Sequence, residues 1–75
     1  MKELLEFLIS EITGSDSVEV SESREGNNVY LTVTAPSEIV GLIIGKEGKT
    51  IKNIRKLLAI RATQDNTIVN ISVNS

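Results

Sequence analysis

A chain of 75 residues without a single cysteine or histidine excludes a disulfide framework and the usual zinc sites, and it lacks the commonest general base and the commonest strong nucleophile. No apolar run approaches the roughly 18 residues of a membrane span, and Glu3 and Glu6 stand where a signal peptide would be cationic, so a soluble cytoplasmic protein is expected. The formal net charge of −2 is unevenly laid out: residues 1–38 carry two cations against eight acids, for −6, whereas residues 39–64 carry six cations against Glu47 alone, for +5.

Residues 2–13 predict an amphipathic helix, because Leu4, Leu5, Leu8, Ile9 and Ile12 share one arc while Glu3, Glu6, Ser10 and Glu11 lie outside it. Phe7 sits off that arc, as an edge residue or a contact to a second chain, and Gly14 is a helix stop. Val18 and Val20 then alternate with Glu19 and Ser21, and Val29, Leu31 and Val33 alternate with Tyr30, Thr32 and Thr34. Turn chemistry at Glu25-Gly26-Asn27-Asn28 between the two runs predicts an antiparallel hairpin, with Tyr30 as a cross-strand packing residue.

Pro36 disfavours helix at Ala35 and suits the first turn of a short helix over 36–44. A longer helix follows over 48–62. Its Ile51, Ile54, Leu58 and Ala62 cluster on one side and Lys49, Lys52 and Lys56 on the other, so one face packs and the other is basic. Arg61 projects near the packing side, where a snorkelling side chain is expected. Gln64 to Asn66 is a turn, and Thr67 to Val73 alternates as a last strand. The expected architecture is α+β, in the order α-β-β-α-α-β, with the helices on one face of a three-stranded sheet.

The stretch GLIIGKEGKT, residues 41–50, joins the second and third helices. It is not a Walker A loop, which needs a glycine five residues before Gly48-Lys49-Thr50 where this chain has Ile43. Gly45 and Gly48 fit better as caps: a left-handed C-cap at Gly45, and at Gly48 the start of a helix whose first amides have no intrahelical partners. Those amides and the positive end of the helix dipole form a place for a phosphate, with Lys46, Lys49 and Lys52 adding charge that requires no particular base.

IIGKEGKTIKNIRKLL resembles the signature of the K homology (KH) domain, in which an apolar pair, a GxxG loop and an Ile-x-x-Ile helix follow one another. The element order is similar to the type II KH fold, with its three-stranded mixed sheet, and the resemblance spans residues 1–75 as one domain, like the small bacterial KH-domain RNA-binding proteins. It implies a single-stranded RNA ligand whose sugar-phosphate backbone is clamped by Gly45, Lys46, Glu47 and Gly48. Gly41, Ile43 and Ile44 would line the groove on the preceding helix, and Lys49, Thr50 and Lys52 would flank it on the next. Ile43 and Ile44 divide core and groove duties between them, in an order the sequence does not give. Leu42 and Glu47 depart from the family pattern, which favours Lys or Arg at the first and a basic or neutral residue at the second, and both weaken phosphate attraction.

The expected function is therefore RNA binding in bacterial post-transcriptional regulation or RNA chaperoning, with no enzymatic activity, cofactor, metal or membrane association. A homodimer, or a complex with a larger KH-containing RNA-binding protein, is implied as partner. The alternatives are a protein-interaction module on a KH scaffold that does not bind nucleic acid, and single-stranded DNA as the ligand.

Overall fold

A computed structural model describes residues 1–75. Helix α1 spans Lys2–Thr13 and stops at Gly14, which is left-handed (φ 65, ψ 14) and returns its N–H to Ser10. Leu5 and Ile9 are buried, with Leu4 and Leu8 packed against them. Ile12 departs from expectation: although it lies on the apolar arc, it is 42% exposed and stands outside the core cluster. Helical period assigns a direction around the axis but not how far the layer beneath extends, and in the last turn that layer has ended.

Strands β1 (Glu19–Glu25) and β2 (Asn28–Thr34) form the expected hairpin, antiparallel from Glu19↔Thr34 to Glu25↔Asn28. Gly26 takes a positive φ of 61 in its two-residue turn while Asn27 does not, the pattern of a tight hairpin turn with glycine at its first central position. Strand β3 (Ile68–Asn74) pairs parallel to β2, from Asn28↔Ile68 to Thr34↔Asn74, so β2 is central and β1 and β3 are the edges. A parallel pair needs a long crossover. Here it consists of α2 (Ser37–Ile44), a single 3₁₀ turn (Lys46–Gly48) and α3 (Lys49–Gln64).

The period of two along the strands decides which sheet face is covered. Val20, Val29, Leu31 and Val33 are buried beneath the helices, and Val69, Ile71 and Val73 pack on the same cluster from the β3 edge. Tyr30 points to the opposite, open face, between Ser23 and Asn70 of the neighbouring strands. In α3 the buried residues are Ile51, Ile54, Leu58 and Ala62, the four that its period selects. No polar side chain is buried. Cohesion therefore rests on aliphatic packing together with the backbone ladders.

Two further expectations need correction. Pro36 is the residue before α2 rather than its first, and its carbonyl accepts hydrogen bonds from the amides of Ile39 and Val40. Arg61 does not snorkel along the packing side: it is exposed, and its Nε donates to Asp65 Oδ2 at 3.3 Å, one helical turn on. No helix is long and apolar enough to cross a membrane.

Candidate nucleic-acid interface

The α2–α3 joint is built by three residues with positive φ. Gly45 has φ 75 and ψ 175, Glu47 has φ 57 and ψ 24, and Gly48 has φ 73 and ψ 15. Gly48 is left-handed, as a residue at the start of α3. Gly45 is not: its ψ is extended, a region open almost only to glycine. A second constraint acts there, since a Cβ on Gly45 would fall onto Thr50 Oγ1. Thr50 therefore closes the joint from the α3 side, and Gly45 leaves room for it. At Gly48 an added Cβ would meet nothing within 4 Å, so the requirement there is conformational only.

The amides at the joint differ from expectation. Gly48 N–H donates to Gly45 O at 3.1 Å, and Lys49 N–H donates to Lys46 O. A 3₁₀ turn satisfies its own donors, so these two are directed into the loop. The lysine side chains and the positive end of the 16-residue helix that starts here remain as sources of attraction for an anion.

Those side chains are available. Lys46, Lys49, Lys52, Arg55 and Lys56 are all exposed, and none belongs to an ion pair, the only side-chain pair being Arg61 with Asp65 apart from contacts of the N-terminal ammonium. With Glu47 counted, the joint and the first two turns of α3 present a local charge of +4. Mutual repulsion among uncompensated cations is unfavourable in the free protein and is relieved when a polyanion binds.

On α2, Ile43 is 1% exposed and Ile44 is 38% exposed. Ile43 is therefore a core residue, which corrects the expectation that it lines the groove, and Ile44 is the exposed member of the pair. Gly41 and Ile44 share the exposed side of α2, about 60° apart around the axis, and Leu42 is 51% exposed on another side.

Sequence reasoning missed a further feature. Along α3 away from the joint, a cavity of about 350 Å³ opens between the helix and the β3 edge, lined by Arg55, Ala59, Val69, Asn70 and Ile71. A second, of about 240 Å³, shares Ala59 and Val69 and reaches Ile68. Together they form a shallow groove with aliphatic walls, in which Arg55, Thr63, Thr67 and Asn70 are the polar residues. Ala59 creates it by being small, and the parallel placement of β3 brings its strand alongside α3. Nothing local in the sequence marks that pairing. The remaining two cavities lie between α1 and β1 and are lined by Glu6 with Asp16 or Glu19, a setting that repels phosphates.

The profile of the family described as KhpA/KhpB, KH domain, matches residues 2–73. An RNA-binding protein KhpA of Chlamydia trachomatis is 35% identical over 74 residues, covering 97% of this chain and 95% of the relative. One of Halalkalibacterium halodurans is 28% identical over 97% of both chains, and one of Thermotoga maritima is 43% identical over 61 residues, 79% of this chain and 80% of the relative. No solved structure gives a significant match. With the KH element order, the GxxG joint and a family match over nearly the whole length in agreement, the chain belongs to the KhpA/KhpB family of KH-domain proteins.

Proposed function

We propose that this protein binds single-stranded RNA, gripping the sugar-phosphate backbone at the Gly45–Gly48 joint and leading the strand along α3 into the groove beside β3. The observation that carries this reading is the group of five unpaired cations that runs from the joint along α3 to Arg55, which lines one of the two cavities free of acids. The relatives' name, RNA-binding protein, supports it. Lys46, Lys49 and Lys52 attract the phosphates, Gly45 and Gly48 keep the joint free of side chains, Glu47 stands at its tip, and Thr50 holds its shape. Gly41 and Ile44 offer the first apolar surface to the bases, and Ile43 fixes α2 from below. Aliphatic walls take the place of stacking rings, since Tyr30 lies on the far face of the sheet and Phe7 on α1.

Shallow walls and few phosphate contacts make for weak binding at one site, so a second site on a partner adds affinity through effective concentration. Leu57 and Ile60, 49% and 60% exposed on α3, support a homodimer or a complex with a larger KH-containing RNA-binding protein. In this reading the protein acts in the bacterial cytoplasm as a post-transcriptional regulator or RNA chaperone, by binding rather than catalysis.

The test replaces Lys46 and Glu47 together by Asp, which keeps both glycines. Anisotropy of a labelled single-stranded RNA is then followed across salt concentrations, with a DNA strand of the same sequence in parallel. Wild type is expected to bind RNA with a log–log salt slope of about −2 to −3, as roughly three or four phosphate contacts give, and the folded double variant is expected not to bind. Undiminished binding by that variant would remove the joint from the interface, and equal affinity for DNA would remove the preference for RNA.

A further inference from the structure

Glu47 is the single acid between Glu38 and Asp65, and it occupies the tip of the joint between Lys46 and Lys49. It forms no ion pair, and its side chain makes no hydrogen bond. Its backbone is left-handed at φ 57 and ψ 24, a conformation that a Cβ disfavours. The one other non-glycine residue with positive φ is Asn66, whose short amide tolerates it. Glutamate at this position neither ties the joint together nor suits its backbone. What it contributes is a negative charge, exposed where the other side chains attract phosphate.

We propose that Glu47 is a brake on RNA affinity: its carboxylate opposes the phosphates drawn in by Lys46 and Lys49 and shortens the lifetime of the bound strand. The inference rests on the RNA-binding reading above and concerns the regulation of that same site. A carboxylate a few ångströms from a phosphate is repelled on the scale of a tenfold change in binding or less once solvent screening is included. In counterion terms, removing it is close to gaining one phosphate contact.

Two variants separate charge from backbone. Glu47→Gln removes the charge and keeps the Cβ in its left-handed setting, whereas Glu47→Gly removes both. Equilibrium anisotropy and stopped-flow dissociation of a labelled oligouridylate, together with thermal melts, are read for wild type and both variants. Both are expected to bind roughly three- to tenfold more tightly at low salt, with slower dissociation and a salt slope steeper by about 0.7. Only the glycine variant is expected to melt at higher temperature. If wild type binds and Glu47→Gln binds no better, the brake is refuted, and a gain confined to Glu47→Gly assigns the effect to the backbone instead. A lower melting temperature for Glu47→Gln with unchanged affinity would make Glu47 a counter-charge for the free protein. Should none of the three proteins bind, the RNA reading itself falls and the brake with it.

Discussion

Gly45 is fixed by two independent constraints, an extended positive-φ backbone and the side chain of Thr50 occupying the place of a Cβ. Gly48 answers to only one. Gly45→Ala is therefore expected to destabilise the fold by about 2–4 kcal/mol, combining the backbone penalty with overpacking, while Gly48→Ala is expected to lose about 1–2 kcal/mol. Urea unfolding of both variants checks the order, and equal losses would show that the contact with Thr50 yields without strain. Two glycines three apart in an apolar-flanked, lysine-bearing stretch are readable as caps, and both are, Gly45 closing α2 and Gly48 opening α3. Gly45's distinct conformation was not readable, because a C-cap and a tight joint against the next helix demand the same residue type. Arg61 is a similar case: a helical wheel gives its direction, but its charge partner Asp65 lies past the expected end of the helix.

At the scale of elements, α2 divides its apolar residues between core and surface. Its period places Ile43 under the sheet-facing layer and Ile44 at the surface. Ile43→Ala should lose about 2–5 kcal/mol of stability, a large share of the roughly 4–11 kcal/mol expected of a domain this small. Ile44→Ala should change stability by less than about 1 kcal/mol yet weaken RNA binding roughly fivefold, the scale of about 1 kcal/mol for a half-buried aliphatic contact. Paired melts and anisotropy decide between them, and loss of stability with retained RNA affinity for Ile44→Ala would take α2 out of the interface. Most elements were legible from their period: β2 and β3 alternate, and α3 carries its four buried residues in register, whereas β1 buries only Val20 and is marked by the turn that follows it. The α3–β3 groove was not, since it arises from strand order. Sequence pattern identifies a last strand but not that it pairs parallel to β2, with the small Ala59 shared by both cavities beside it.

For the molecule as a whole, charge distribution outweighs net charge. Helix α1 packs on β1, and the two elements carry six of the ten acids, whereas α3 packs on β3 and carries five of the eight basic residues. The body measures 33 × 20 × 18 Å, and the Debye length at physiological salt is about 8 Å. Opposite flanks are thus screened from one another, and a strand at the α2–α3 joint meets a local charge of +4 rather than the formal −2. The acidic flank contributes direction, disfavouring any anion in the cavities beside Glu6. This segregation was visible in the sequence as a basic segment in an acidic chain. Its reading as two flanks required the fold.

The most direct measurement is an amide NMR titration of the isotopically labelled protein with a short single-stranded RNA. Shifts are expected at Gly41 to Lys56 and, along the groove, at Ala59 and Val69 to Ile71, with residues of α1 and β1 unmoved. Shifts centred on α1 or β1, or none at saturating RNA with the fold intact, would contradict it.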